Sequence, residues 1–348
     1  MLSEPEGILR RMRGVPILAA VVAALAAPAF GQQPAATQSL PSKAEAIPIL
    51  EKAGEQMRLA EPGHPPFHLL AKLLYTLDGK SSDGTYEVLW ASPDRFRDEF
   101  RLGPIGETDI ALGDKLYILR NSPASTYHEF RVRGLMGLPE NNGTIQPFKI
   151  AKVYADGADD KVVCFGFPEP SKGLTECVDQ ATGQLVSVNV QSKEGRTNTT
   201  SLLPERFMSF GAVNYPWHIL STLAKETFEI SVEKLDPVAS FAAQTFIPPA
   251  GASSRDWCPK PEVPKEMDSR LATRLFLGDY APSPRPEGFR GYYFLIAPDG
   301  RIEKDADMYS DGTTKKAAAQ LSLERFPVHL CGGKPIEYET VFMTVALR

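Results

Sequence analysis

Two rhythms of apolar and polar positions divide the chain into helical and extended stretches. Between residues 42 and 59 the apolar positions recur at the spacing of a helix, at Ile47, Ile49, Leu50, Ala53 and Met57. Ser42 favours an N-cap, and Pro48 is acceptable in the first turn, where the amide that proline lacks would be unpaired. The pattern predicts one amphipathic helix over residues 42–59.

From Phe67 to about Phe246 the apolar residues form short runs separated by turn clusters such as Asp78–Gly84. These runs predict strands at Phe67–Thr76, Gly84–Ala91, Arg95–Leu102, Glu107–Leu112, Lys115–Leu119, Ile145–Ala155, Lys161–Phe167, Thr175–Val178, Gln184–Val190 and Phe228–Leu235. Ser125–Leu135 predicts a helix that packs on the strands, and Pro216–Leu223 predicts a turn or a short helix. Short strands at regular spacing predict an antiparallel sheet that curls into a barrel or a sandwich.

Residues 248–267 are rich in proline, glycine and serine, which predicts a linker between two domains. The elements predicted after it are two strands, a helix and a strand, at Gly291–Ala297, Arg301–Tyr309, Thr314–Arg325 and Ile336–Leu347. This order predicts a small α+β domain over residues 268–348, behind a mostly β domain over residues 42–247.

The first residues have the composition of an export signal. Three arginines precede an uncharged, alanine-rich run from Gly14 to Gly31, whose last small residues fit a cleavage site. We interpret residues 1–31 as a signal peptide and the polar stretch 32–41 as a flexible leader, which predicts an exported, periplasmic protein. The alternative is an uncleaved, membrane-anchoring helix, for which the run is short compared with the about 20 residues of a membrane span.

The cysteines agree with export. The four are Cys164, Cys177, Cys258 and Cys331, and they allow three connectivities. Cys164 ends one predicted strand and Cys177 lies in the next, which suits a bridge across a hairpin; Cys258 and Cys331 then pair by elimination. A metal or redox site would need closer ligand spacing or an adjacent base. We therefore predict two structural disulfides.

Charge and motifs exclude several classes of function. Lys and Arg number 38 and Asp and Glu 43, giving a net charge of −5 without a basic block, which argues against a nucleic-acid binder. No hydrolase, zinc-protease or nucleotide-binding motif is visible. His64 and His68 are four residues apart, but Pro65 and Pro66 break the helix that would align them. We predict no catalytic residue, no metal site and no cofactor.

Residues 42–247 resemble the LolA-like lipoprotein-carrier fold. The matching segments are Gly84–Glu99, Gly113–Tyr117 and the Asp179–Leu185 turn. In that fold an open, curved antiparallel half-barrel wraps an apolar face around a helix, so the resemblance implies a concave surface able to accept an acyl chain. The alternative is a closed core, filled by Leu69, Leu73, Trp90, Phe96 and Phe100.

Residues from about 255 to 348 resemble the C-terminal domain of TonB energy transducers. The matching features are the Asp299–Gly300 turn, Ser310–Gly312, the Ala317–Ser322 helix, Arg325–Pro327 and Gly333–Pro335. In that family the small sheet pairs with a peptide of an outer-membrane transporter by strand addition. The resemblance implies a pairing edge at Ile336, Tyr338, Val341, Met343 and Val345.

Together these observations predict an exported, non-catalytic binding protein of the cell envelope that pairs with a partner protein by strand addition. The partner implied by the resemblance is an envelope protein such as a TonB-dependent outer-membrane transporter. One alternative is a lipid or lipoprotein carrier that holds an acyl chain in the half-barrel. Another is a membrane-anchored energy transducer, although the apolar N-terminal run lacks the histidine and the chain lacks the long spacer of that family.

Overall fold

The structure, a computed structural model, describes residues 40–61, 63–122, 126–137, 150–156, 161–167, 174–191, 197–202, 207–223, 226–262, 288–307 and 325–346. Its helices are α1 (Lys43–Glu55), α2 (Tyr127–Leu135) and a short 3-10 helix (Ala243–Phe246). Its strands are β1 (Phe67–Leu77), β2 (Lys80–Ser92), β3 (Arg95–Leu102), β4 (Ile105–Leu112), β5 (Lys115–Arg120), β6 (Lys152–Asp156), β7 (Val162–Gly166), β8 (Leu174–Asp179), β9 (Leu185–Gln191), β10 (Thr197–Leu202), β11 (Phe207–Phe210), β12 (Val213–Pro216), β13 (His218–Leu223), β14 (Glu226–Pro237), β15 (Ser253–Asp256), β16 (Gly288–Ile296), β17 (Ile302–Asp307), β18 (His329–Cys331), β19 (Lys334–Ile336) and β20 (Tyr338–Ala346).

A 13-stranded antiparallel sheet dominates the described residues, in the order β15-β5-β4-β3-β2-β1-β14-β13-β10-β9-β8-β7-β6. The sheet is curved and open, with β15 and β6 at its two ends. Strands β1 to β5 follow one another through connections of two residues, so these sequence neighbours are also sheet neighbours. The predicted mostly β fold with a curved antiparallel half-barrel is confirmed, and the closed barrel is excluded.

One face of the large sheet, here called the inner face, carries Leu69 and Leu73 of β1 and the residues in register with them. Along β1 buried and more exposed positions alternate, as expected for a strand with one face in a core. Helix α2 packs on the inner face around β1–β4 through Tyr127, Val132 and Met136. Helix α1 packs on the same face at the other end, over β6–β9.

The inner face under α2 is a filled core. Leu69, Leu73, Trp90, Phe96 and Phe100 are all buried, with at most 4% of their surface exposed. Phe67 stacks on Trp90, and Trp90 stacks on Phe96. The closed-core alternative therefore describes this region.

The two helices predicted before residue 247 are present, with shifted ends. Ser42 caps α1, and its amide donates a hydrogen bond to the carboxylate of Glu45 at 2.7 Å, completing a capping box. The helix ends at Glu55, earlier than expected, and Pro48 lies beyond its first turn, where it removes a backbone donor. Helix α2 begins after Thr126, whose hydroxyl accepts the amide of Glu129.

The prediction of a turn or short helix at Pro216–Leu223 is wrong, because this segment is extended. Val213–Pro216 forms β12, and His218–Leu223 forms β13 between β10 and β14. The run is too short for its alternation to be decisive, and pairing with two neighbouring strands determines its conformation. Strands β10 and β11 were also not predicted. The predicted helix Thr314–Arg325 lies outside the described residues except for its last residue, Arg325, which is not helical.

The C-terminal strands form a second sheet, in the order β17-β16-β20, and β18 and β19 form a hairpin beside it. Part of the predicted linker is a strand, because β15 pairs with β5. Directly after β15, the Trp257 indole donates a hydrogen bond to the carbonyl of Pro93 at 2.8 Å. Residues Leu40–Arg348 group into one compact unit. The domain boundaries at residues 247 and 268 stay predictions.

The four cysteines are paired as Cys164–Cys177 and Cys258–Cys331, the arrangement that the sequence predicts. Cys164 and Cys177 face each other directly across β7 and β8, on the side of the sheet away from α1. The second bridge joins the end of β15 to the β18–β19 hairpin. It therefore ties the C-terminal strands to the edge of the large sheet.

Candidate functional site

A network of buried charges lies on the inner face, where α2 crosses β3 and β4. Asp98 and Asp109 are directly opposite each other on these strands, a pairing that is repulsive unless a cation bridges it. Arg133 of α2 provides the bridge: its guanidinium donates to Asp98 at 2.6 Å and to Asp109 at 2.7 Å. The same guanidinium is 2.8 Å from Glu129, one turn earlier in α2.

The network continues to the C-terminal sheet through Arg120 of β5. Arg120 donates to Glu107 of β4 at 2.7 Å and lies 3.4 Å from the carboxylate of Glu339 in β20. The Tyr293 hydroxyl of β16 donates to Glu339 at 2.6 Å, and Arg255 of β15 is 3.7 Å away. We call Glu339, Tyr293, Arg120 and Arg255 the Glu339 latch, because they hold β20 and β16 against the large sheet.

Two carboxyl groups of the network have opposite properties. Burial raises the pKa of Glu107 well above its usual range, and the nearby Asp109 and Glu129 raise it further, against the effect of Arg120. For Glu339, burial also acts to raise the pKa, but Arg255 and Arg120 outweigh it, and the pKa lies below its usual value. The pKa of Glu107 is therefore shifted upward and that of Glu339 downward, and Glu339 is the carboxylate that lies beside two arginines.

Glu107, Asp109 and Glu129 are also the residues whose geometry resembles a metal site. Their carboxylate oxygens lie within 4.8 Å of one another, and all three side chains are buried. However, Arg133 and Arg120 already place positive charge among these carboxylates. The cluster is best described as an internal ion-pair network that joins α2, the large sheet and the C-terminal sheet.

A second polar cluster lies beside the start of α2, at the end of the inner face formed by β13 and β14. Burial raises the pKa of Glu226 to about 7, opposed by a hydrogen bond from Tyr127 and by Arg131. Arg131 donates to the hydroxyl of Ser221 at 2.7 Å. His128 stacks edge-on against Tyr75, and burial lowers its pKa to about 4. At neutral pH, Glu226 is the group of this cluster that titrates.

The titration of Glu226 predicts a pH dependence of folding. Its folded pKa of about 7 exceeds the usual value, so the folded chain binds more protons than the unfolded chain between about pH 4 and 7. The free energy of unfolding is expected to fall as the pH rises through that window. Glu226→Gln should remove this slope and stabilise the protein at pH 7 by about 3 kcal/mol, as measured by urea unfolding at a series of pH values.

Glu229→Gln is the matched control, because Glu229 lies on the same strand but is partly exposed beside His218. It should leave the slope attributed to Glu226 in place. An unchanged slope in Glu226→Gln would show that Glu226 is ionised throughout the window.

The histidines do not form a metal site in the described residues. His68 lies in β1 and contacts Glu87 at 2.7 Å, while the His64 imidazole is 3.0 Å from the carbonyl of Leu59. His218 begins β13 and contacts Glu229 at 2.8 Å. In each case the contact shown is with a carboxylate or a backbone carbonyl, and no second histidine takes part.

The residues predicted as a pairing edge fall in two strands. Tyr338, Val341, Met343 and Val345 lie in β20, which pairs with β16 along its whole length and is an outer strand of its sheet among the described residues. Ile336 instead lies in β19, opposite His329 of the β18–β19 hairpin. The predicted continuous strand Ile336–Leu347 is interrupted at Glu337, so Ile336 does not belong to the β20 edge.

Sequence reasoning missed the charge network. A signal was present in β3, where Asp98 occupies an inner-face position between Phe96 and Phe100, and in β4, where Glu107 and Asp109 occupy the facing positions. An acidic residue at a position predicted to be buried indicates an ion-pair partner elsewhere. Only the packing of α2 identifies that partner as Arg133.

No protein-family model matches the chain, and no curated protein matches its sequence. Among solved structures, a LolA superfamily protein from Nitrosomonas europaea is 15% identical, with 58% of this chain and 97% of that chain covered and a TM-score of 0.38. A DUF1329 family protein from Desulfovibrio piger is 10% identical, with coverages of 60% and 98% and a TM-score of 0.39. The complex of MucA and MucB from Pseudomonas aeruginosa is 12% identical, with coverages of 75% and 83% and a TM-score of 0.27.

These neighbours include the superfamily that the residues of 42–247 resemble. At such low identities and TM-scores they do not assign the chain to a family or a function. No TonB domain is among them, and the TonB resemblance stays a prediction.

Proposed function

We propose that this chain is an exported, non-catalytic binding protein of the cell envelope, in which β20 receives an extended segment of a partner protein. One observation carries the proposal: in the described residues, β20 is hydrogen-bonded to a neighbouring strand on one side only, over nine residues. An open strand edge presents backbone amides and carbonyls that another strand can satisfy.

The two ends of the large sheet are less suited to strand addition than β20. At one end of the large sheet, β5 is covered by β15, which pairs with it from Ser253 to Asp256. At the other end, β6 is only five residues long and carries exposed charged residues at both ends, Lys152 and Asp156. Short, charged edges discourage strand addition, whereas β20 is long enough for a stable pairing.

Two further observations support the location and the absence of catalysis. Both cysteine pairs are disulfides, which persist outside the reducing cytosol. Asp98 and Asp109 of the inner face are engaged in buried ion pairs with Arg133, so these carboxylates serve to hold α2 on the sheet. The TonB resemblance of residues 268–348 makes an envelope protein such as a TonB-dependent outer-membrane transporter the expected partner.

An acyl-chain carrier is the second candidate, and the large apolar cluster on the inner face favours it. In the described structure this face is filled by aromatic side chains and α2, and charges occupy its β3–β5 end. A carried acyl chain would have to displace α2. Organic extraction of the purified protein followed by mass spectrometry would reveal stoichiometric lipid if this candidate were correct.

An energy transducer needs a membrane anchor. None of the helices in the described part of the chain has the length and apolar character to span a bilayer. The predicted signal lies within residues 1–39, outside the described residues. Sequencing the N-terminus of the protein from cells separates the candidates, because a chain beginning at Gln32 excludes the anchor.

The open edge can be tested with a pair of adjacent proline variants, Phe342→Pro and Met343→Pro. Successive amides of a strand point to opposite sides, so one of these residues donates toward β16 and the other toward the open edge. The probe is a peptide selected from a phage-displayed library of random 12-residue peptides on the wild-type chain. The proline on the open side should leave the fold intact and weaken peptide binding at least tenfold.

The other proline is the matched control, since it removes a hydrogen bond to β16 and should disturb the C-terminal sheet itself. Circular dichroism and amide exchange identify which variant is which. Unchanged peptide affinity in the variant that remains folded would contradict strand addition at β20.

A further inference from the structure

The latch that holds the C-terminal sheet is built into the strand proposed to bind the partner. Glu339 is the second residue of β20, and its side chain is only 18% exposed beneath Arg120 and Arg255. Arg120 belongs to β5 and Arg255 to β15, so both cations come from the edge of the large sheet. Charges outside its own sheet therefore contact the start of β20.

Both faces of the start of β20 are covered in this arrangement. On one face the ring of Tyr338 stacks on His329, with 3.6 Å between ring centroids, and its hydroxyl donates to the carbonyl of Pro327 at 2.7 Å. On the other face Glu339 meets the two arginines. Side chains of an added strand lie about 5 Å from those of the strand they pair with, so they would enter these occupied spaces. Full-length pairing along β20 requires the start of the strand to move away from the large sheet.

Such a movement would be limited by covalent and backbone links. Cys258, directly after β15, is bonded to Cys331 in the β18–β19 hairpin. Glu262 forms backbone hydrogen bonds with Leu330, next to that bridge. These links would keep the C-terminal sheet attached to the edge of the large sheet if Glu339 left its arginines.

We propose that the C-terminal sheet is a tethered lid on the margin of the inner face, that the Glu339 latch closes it, and that a partner strand binds β20 most tightly when the lid is open. The part of this proposal that concerns the partner rests on the proposed function. Because binding and opening are linked, a partner strand that favours the open lid also opens it. Opening separates Arg120 from Glu339, so of these two carboxylate partners Arg120 keeps Glu107. The opening of the lid therefore changes the charge balance around Glu107 and the buried carboxylates beneath α2.

The lid is tested in the full-length protein with Glu339→Gln, which keeps an acceptor for Tyr293 and removes the charge. Hydrogen exchange followed by mass spectrometry should show at least tenfold faster exchange in peptides from β5, β15 and β16. Peptides from β7–β9, at the other end of the sheet, should exchange as in the wild type. Asp299→Asn is the matched control: Asp299 is an exposed carboxylate of the same sheet, paired with Arg301 in the β16–β17 turn, and its loss should change none of these rates.

Wild-type rates in β5, β15 and β16 of Glu339→Gln would overturn the lid, and so would faster exchange throughout the sheet, which would indicate general destabilisation. If Glu339→Gln does not fold, Arg255→Gln provides the milder test, because Arg120 and Tyr293 still contact Glu339. The same regional increase in exchange is expected in that variant.

The coupling is tested with the selected peptide described above. Glu339→Gln should bind it at least fivefold more tightly than the wild type, and equal or weaker binding would overturn the coupling. If no peptide binds either protein, the proposed function and the coupling both fail. The hydrogen-exchange rates of Glu339→Gln test the lid independently of any peptide.

Discussion

Replacing Arg133 with methionine is expected to destabilise the fold by about 3–5 kcal/mol, the range found when one partner of a buried ion pair is removed. Methionine fills a similar volume, so the loss would come from charge. Without the Arg133 guanidinium, Asp98, Asp109 and Glu129 would remain buried close together and would lose the cation that contacts all three. Urea unfolding followed by tryptophan fluorescence, compared with the wild type at pH 7, measures the difference.

Arg101→Met is the matched control. Arg101 lies on the same strand as Asp98, but its side chain is 64% exposed and 3.7 Å from Glu99, so its loss is expected to change stability by at most about 1 kcal/mol. Equal stabilities of the two variants would contradict the bridging role of Arg133.

Removal of the second disulfide, by Cys258→Ala and Cys331→Ala together, is expected to destabilise the protein by about 4 kcal/mol in the chain-entropy model. This bridge closes a segment of 73 residues, whereas Cys164–Cys177 closes one of 13. The corresponding loss for Cys164→Ala with Cys177→Ala is about 3 kcal/mol in the same model. Thermal and urea unfolding of the two double variants give the comparison.

The two double variants should also differ in where they loosen the structure. Loss of Cys258–Cys331 should accelerate amide exchange in β15 and in the C-terminal strands, because it removes the tether of the lid. Loss of Cys164–Cys177 should act on β7 and β8. A variant without Cys258 and Cys331 that is as stable as the wild type, with unchanged exchange in β15, would contradict a tethering role.

Much of the architecture was readable from local pattern. The alternation in β1, the turn signals between β1 and β5, and the capping residues Ser42 and Thr126 act over a few residues, so they indicate strands and helices without knowledge of the fold. Cys164 and Cys177 could be paired because they lie in consecutive strands of one hairpin. In each case the interacting groups are close in sequence.

The predictions that failed depended on contacts between distant segments. Strand β13 was expected to be a turn or a helix because its few residues carry no strong period, and it is extended because β10 and β14 flank it. Part of the predicted linker became β15 because the edge of β5 was available for pairing. Ile336 was assigned to the closing strand, but it pairs with His329 in the β18–β19 hairpin, which ends before β20 begins.

The sequence by itself determined the class of fold, the short antiparallel strands, the two helices before residue 247 and the four cysteines that staple the chain. These features follow from the propensities and periodicity of neighbouring residues. Only the tertiary structure decided that Arg133 bridges Asp98 and Asp109, and that Glu339 meets Arg120 across 219 residues of chain. A charged residue at a position predicted to be buried indicates that it needs a partner of opposite charge. The packing of helices and sheets determines which residue that partner is.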